Sequence, residues 1–179
     1  MFFGDMESQE WTHVRQWHGD VARPVVAVLT ATGSLTRFVD RHFGLLLTVR
    51  LHDQFVDKAT DIEAALLGCD PALPVLRRQV SLLSGSRIMF DAESVLPLDG
   101  VPAELMVQLE SGELPLGNLL IDRGVSLSRS DLSIARFIQQ SGEANWARRS
   151  VLRSGSGTRA LVVELFHDLF WHRIGGDGC

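Results

Sequence analysis

Apolar and polar positions alternate with a period of two along several stretches of the chain, and each such stretch predicts a strand. Leu45 to Val56 reads as a first long strand and Val75 to Leu83 as a second. In the second, Leu76, Arg78, Val80 and Leu82 share one face, while Arg77, Gln79 and Ser81 share the other. Ser84-Gly85-Ser86 turns the chain into Arg87 to Pro97, where Ile88, Phe90, Ala92, Ser94 and Leu96 face in and Asp91 and Glu93 face away. Pro97 ends that strand because it cannot donate to a ladder. Gly124 to Arg129 and Leu132 to Gln139 are two further extended stretches. Last comes a hairpin: Trp146 to Arg153, the turn Ser154-Gly155-Ser156-Gly157, and a strand from Thr158 onward.

Helical spacing takes over elsewhere. Pro24 opens a short helix over VVAVLTAT, and Leu35, Phe38, Val39 and Phe43 mark another that stops at Gly44. Thr60 and Glu63 form a capping box for DIEAALLGC, and Pro102 to Leu109 make a further helix. Residues 1–22, with Trp11 and Trp17, read as a peripheral arm or first helix, and residues 171–179 as a tail. The sum is a single α+β domain over residues 23–170, with five or six strands in an antiparallel sheet and helices early and between strands.

Two positions break the pattern. Ala160 to Phe166 is apolar on both faces except at Glu164, so that carboxylate is expected to be buried. Arg78 sits among core residues on its own strand, whereas Arg77 reads as ordinary and solvated. Buried charges need partners. Glu164 could pair with Arg148 or Arg149 across the hairpin, or with Arg78. Alternatively, Arg78 and Glu164 could line a closed pocket for a small ligand carrying a carboxylate and a hydroxyl.

Composition narrows the function classes. The 179 residues are 45% hydrophobic and 22% charged with a net charge of −5, a globular profile with no apolar run near the roughly 20 residues of a membrane helix. The first residues lack a basic segment and a long apolar core, so no signal peptide and a cytoplasmic location are expected. Apart from Arg148-Arg149 there is no basic cluster, and LTATGSLTRFVDRHFG has too little positive charge to read DNA, so no nucleic-acid partner is expected. Cys69, Cys179 and six scattered histidines lack metal-ligand spacing, and no phosphate-binding glycine loop exists, so neither metal nor cofactor is expected.

Several segments, in order, resemble the bacterial chorismate pyruvate-lyase family: TGSLTR (Thr32 to Arg37), LRRQVSLL followed by SVLP (Ser94 to Pro97), PLG (Pro115 to Gly117), and ARRSVLR with VVELF. The similarity runs from about Leu29 to Phe166. It implies a six-stranded antiparallel sheet with flanking helices and a buried site closed by helical flaps. It also implies cofactor-free cleavage of chorismate to 4-hydroxybenzoate and pyruvate, a step toward ubiquinone, by a cytoplasmic monomer. The family's carboxylate-binding arginine falls on Arg78, its backbone-donating leucine on Leu116 beside Gly117, and its buried glutamate on Glu164. Arg148 or Arg149 would meet the enolpyruvyl carboxylate, and Arg78 and Glu164 would be the catalytic pair.

The chain departs from the family at two positions. Glu93 stands where the family has arginine in ARS, and His52 stands where members often carry arginine. Alternation puts Glu93 on the face away from Arg78. These departures keep open a related enzyme releasing 3-hydroxybenzoate, or a non-catalytic sensor of the same fold.

Overall fold

The computed structural model describes residues 9–122, 126–138 and 144–176. Residues 1–8, the expected strand start at Gly124, its end at Gln139, and Cys179 lie outside them. Among the described residues the strands are β1 (Thr12–His13), β2 (Thr48–Lys58), β3 (Pro74–Ser84), β4 (Arg87–Pro97), β5 (Leu127–Ile138), β6 (Ala144–Ser154) and β7 (Arg159–Phe166). They form one antiparallel sheet in the order β1-β5-β6-β7-β4-β3-β2. Six of these carry the sheet anticipated from alternation. The seventh is a two-residue addition to the edge of β5, with Thr12 opposite Ile134 and His13 opposite Ser133. The two stretches expected near residues 124–139 are one strand, β5, broken in register between Ser130 and Ser133.

The helices are α1 (Arg23–Leu29), α2 (Leu35–Phe43), α3 (Asp61–Leu67), α4 (Ala103–Ser111), α5 (Leu116–Asp122) and α6 (Asp168–Arg173). Their ends follow from local chemistry. Ser34 caps α2 by accepting from the Arg37 N–H at 3.4 Å. Thr60 and Glu63 cap α3 reciprocally at 3.2 and 2.9 Å. Gly112 ends α4 at φ 70°, and a Cβ there would come within 2.9 Å of the Leu51 side chain. Helix α6 runs through the boundary expected at residue 170, and Phe170, Trp171 and Ile174 are buried in the core. No helix among the described residues is long and apolar enough to cross a membrane.

The sheet is covered on both faces, unequally. One face carries Arg78, Val80, Leu82, Phe90, Ala92, Ser94, Val162 and Glu164. Two apolar clusters cover it: one from α1, α2 and α6 around Phe90, Phe166 and Phe170, the other from α4 and α5 around Leu96, Leu105 and Leu119. A cavity lies where these clusters meet, walled by Leu35 and Phe90 from the first and by Leu116 and Val162 from the second. On the opposite face Ala64 and Leu67 of α3 pack against Val75, Val95, Val151 and Leu161.

Candidate functional site

Arg78 projects from the middle of β3 into the cavity. It lies opposite Ser94 of β4, and Ser94 lies opposite Val162 of β7, so no acidic residue shares its row on those strands. The side chain is 1% exposed, yet its single hydrogen bond runs from Nη2 to the Leu114 carbonyl at 3.2 Å. Its Nε is buried with no partner. Burial pulls the guanidinium down to about 10, and no carboxylate offsets it. A buried cation with idle donors is a standing site for an anion.

Glu164 is held differently. Arg148, directly opposite on β6, meets it at two points: Nε to Oε2 at 2.6 Å and Nη2 to Oε1 at 3.2 Å. Arg148 Nη1 also donates to the carbonyls of Val28 and Ala31 at 2.9 and 3.0 Å, satisfying acceptors at the end of α1. Arg129 of β5 comes within 3.6 Å of Glu164, and donates to the Gly33 carbonyl at 3.2 and 3.0 Å and to Ser150 Oγ at 2.5 Å. Burial alone would push the Glu164 carboxyl up, but Arg148 and Arg129 together hold it below the usual carboxylate range. Burial, with Arg148 adding to it and Glu164 opposing it, pulls Arg129 down to about 9.

The cavity between these groups has a volume of about 50 Å³. Its polar lining includes Ser34, Thr36, Arg78, Ser94, Arg129 and Glu164. Leu116 and Gly117, the first residues of α5, also line it. Pro115 accepts from Asn118 and Leu119, so the Leu116 and Gly117 N–H groups belong to the first turn and have no acceptor within the helix. A Cβ on Gly117 would lie 3.3 Å from the Ser34 Cβ and Oγ, so glycine is what lets α5 close onto the start of α2. There Asn118 Oδ1 accepts from Ser34 Oγ at 2.9 Å, Thr36 Oγ1 at 3.2 Å and Arg37 Nε at 3.3 Å. Two cavity-lining segments more than 80 residues apart in sequence are thereby tied together.

Over 154 residues, 84% of this chain, the sequence is 29% identical to the chorismate pyruvate-lyase of Sodalis glossinidius, covering 79% of that protein. It is also 31% identical over 103 residues to the "Probable chorismate pyruvate-lyase" of Pseudomonas putida, a match spanning 54% of this chain and 56% of that one. In sequence the chain is thus similar to proteins named chorismate pyruvate-lyase. No family model matches it. In fold it is similar to the effector domain of PhnF from Mycobacterium smegmatis, with a TM-score of 0.58 at 17% identity over 76% of this chain and 89% of that one. The C-terminal domain of the histidine utilization repressor from Pseudomonas syringae gives 0.55 at 10% identity, over 69% of this chain and 92% of that one.

Of the residues to which resemblance to the lyases directs attention, Arg78, Leu116, Gly117 and Glu164 come together around one cavity. Arg148 and Arg149 do not reach it. Arg148 lies behind Glu164 as its ion-pair partner, fully buried. Arg149, one residue on, points to the opposite face, where its guanidinium lies 4.7 Å from the Trp11 ring centre. The Arg78–Glu164 pairing allowed by the sequence is absent from the ion pairs of the described residues, because Arg148 takes both Glu164 oxygens.

Arg77 is a correction. It is 7% exposed rather than solvated, bonded to Glu63 at 2.8 and 3.0 Å and to Glu93 at 2.7 Å, with Asp57 at 3.4 Å. Burial lowers its pKa, but Glu63 and Glu93 raise it further, so the net shift is upward. Glu93 therefore belongs to an ion network on the face away from the cavity, as alternation anticipated, together with Gln79 at 3.1 Å. His52 occupies the register shift of β2 and meets Ser81 at 2.7 Å, on that same far face.

Sequence reasoning did not identify Arg129. Counting by two from Ile134 puts Arg129 on the wrong face. The register shift between Ser130 and Ser133, with Asp131 at φ 52°, reverses the count and turns it toward the cavity.

Proposed function

We propose that this protein is a cytoplasmic, monomeric, cofactor-free lyase that cleaves chorismate to 4-hydroxybenzoate and pyruvate. One observation carries the reading. The cavity presents an unpaired buried guanidinium, Arg78, on one strand and an ionised carboxylate, Glu164, two strands away. That spacing suits a ring with a carboxylate at one end and a hydroxyl at the other. The sequence likeness to two proteins named for chorismate cleavage supports the choice of ligand.

Arg78 would clamp the ring carboxylate, with the Leu116 N–H donating to the same group. Glu164 would accept from the 4-hydroxyl. Held below the ordinary carboxylate range by two arginines, it is a poor proton carrier, and its role is to orient the ring. The reaction needs little more. The C3–O bond breaks, the C4 hydrogen is lost, and its transfer to the enolpyruvyl methylene yields pyruvate as the ring becomes aromatic. Holding the side chain over C4 in that geometry supplies much of the acceleration.

Incubation of purified protein with chorismate, followed by chromatography, tests the reading. Equimolar 4-hydroxybenzoate and pyruvate are expected. Release of 3-hydroxybenzoate, or binding without turnover, would overturn it. The second outcome would favour a sensing role, to which the shared fold with regulator effector domains lends a structural precedent.

A further inference from the structure

The charges around the cavity do not balance. Among the described residues its charged lining is Arg78, Arg129 and Glu164. Arg148, behind Glu164, occupies both carboxylate oxygens at 2.6 and 3.2 Å. Arg148 and Glu164 thus neutralise one another. Two buried guanidiniums, Arg78 and Arg129, remain without a carboxylate of their own, Arg129 lying 3.6 Å from a Glu164 already engaged. Uncompensated buried cations are costly, and a ligand of matching charge removes the cost.

Their placement says where the second negative charge must sit. Arg78, Ser94, Val162 and Ser150 form one row across β3, β4, β7 and β6. The row spans three strand spacings, roughly 14 Å from end to end. Arg129 reaches Ser150 Oγ at 2.5 Å, so its guanidinium stands at the end of that row remote from Arg78, beside Glu164. The bonds to Gly33 and Ser150 fix it there before any ligand arrives.

We propose that Arg129 is the second carboxylate-binding residue of the cavity, taking the side-chain carboxylate of a dianionic ring ligand whose ring carboxylate Arg78 holds. If Glu164 accepts from the hydroxyl at C4, a carboxylated substituent on the neighbouring C3 falls beside Glu164, where Arg129 stands. The monoanionic product leaves Arg129 uncompensated, so the site binds the dianion in preference to it. The identity of that dianion as chorismate rests on the lyase reading; the preference for two negative charges does not.

Titration calorimetry with two unreactive or spent ligands tests this. These are 4-hydroxybenzoate, with one carboxylate, and 3-(carboxymethoxy)-4-hydroxybenzoate, with a second beside the hydroxyl. Wild type is expected to bind the dicarboxylate more tightly. Arg129→Met should lose about ten- to a hundredfold in affinity for the dicarboxylate and under about threefold for the monocarboxylate. Arg78→Met should lose affinity for both. Should Arg129→Met fail to fold, Ser150→Ala keeps the charge but releases the guanidinium from its anchor, and should lower affinity for the dicarboxylate selectively. Equal losses for the two ligands, or none, in whichever variant folds would overturn the assignment. Absence of pyruvate release from chorismate by wild type would instead remove the lyase reading and leave the charge preference to be judged on the calorimetry alone.

Discussion

Arg148 and Glu164 face each other across β6 and β7 in a buried two-point ion pair, 2.6 and 3.2 Å long. The remaining nitrogen of the same guanidinium holds two carbonyls at the end of α1. One residue thus joins two strands and the segment that leads into α2. Arg78, on the same face of the sheet, has a single carbonyl bond and an idle Nε. The two buried arginines therefore serve opposite ends, one the fold and the other a ligand, and substitution should separate them.

Arg148→Met should be the damaging change to stability. It strands the Glu164 carboxylate, takes the side-chain donor from the Ala31 carbonyl and removes one of the donors to the Val28 carbonyl. Breaking a buried pair from one side costs about 3–5 kcal/mol. For a chain of this size that corresponds to a fall in Tm of roughly 6–20 °C. The double variant Arg148→Met with Glu164→Gln should recover much of the loss, measured by thermal melts of wild type and both variants.

Arg78→Met should leave Tm unchanged or slightly higher, since it removes a buried cation with no carboxylate partner. Saturating 4-hydroxybenzoate should raise the wild-type Tm by mass action and leave that of Arg78→Met nearly still. Equal ligand-induced shifts in the two proteins would mean that the ligand sits elsewhere.

How much of this was legible in the sequence depended on the regularity of the strands. Arg78 stood out because β3 keeps its register over those residues, and Glu164 because β7 is otherwise apolar on both faces. Arg129 escaped because β5 carries a register shift, which no period-two count can see. Arg77 was misread for another reason. Alternation says which residues share a face but not whether that face is covered, and Glu63 at the start of α3 reaches down to close over it. Helix α5 went unrecognised because its seven residues, LGNLLID, follow Pro115 with too few turns to show a period. The partner of Glu164 was among the candidates from the start, but only the register of β6 against β7 chooses Arg148 over its neighbour.

Stability should depend on Glu164 at acid pH. A carboxyl whose folded-state pKa is depressed binds its proton less readily than in the unfolded chain. Its contribution is complete above the unfolded value, about 4.3, and is lost as pH falls through the lower folded value. Urea unfolding between about pH 6 and about pH 3 should show wild-type stability falling with acid, and Glu164→Gln should flatten that slope. A slope unchanged in the variant would show that other carboxylates dominate.

Glu93→Arg tests whether the departure from the family's ARS pattern touches the cavity. It would place a second guanidinium against Arg77 and take away the acceptor of Gln79. A loss of about 3–5 kcal/mol is expected, on the scale of a broken buried pair. Chorismate turnover per folded molecule should stay within about threefold, because Glu93 lies on the face opposite Arg78 and only stability should respond. A large gain in turnover would instead place that position in the reaction.

Asn118 is the final test, because it ties together two segments that line the cavity without lining it itself. Its Oδ1 gathers three donors, from Ser34, Thr36 and Arg37, and so binds the first turn of α5 to that of α2. Gly117 permits the approach by having no Cβ to meet Ser34. Asn118→Ala removes the shared acceptor while leaving the charged lining in place. The bonds are partly exposed and neutral or singly charged, so the stability cost should be only about 1 kcal/mol. The larger effect should be kinetic. With the two segments untied, dissociation of 4-hydroxybenzoate should speed up several-fold in stopped-flow measurements, since most changes in affinity within one site appear in the dissociation rate. Asn118→Asp keeps an acceptor in place, adds a charge attractive to Arg37, and should restore slow dissociation. Identical dissociation rates in wild type and Asn118→Ala would show that the ligand leaves by a path that does not part α2 from α5.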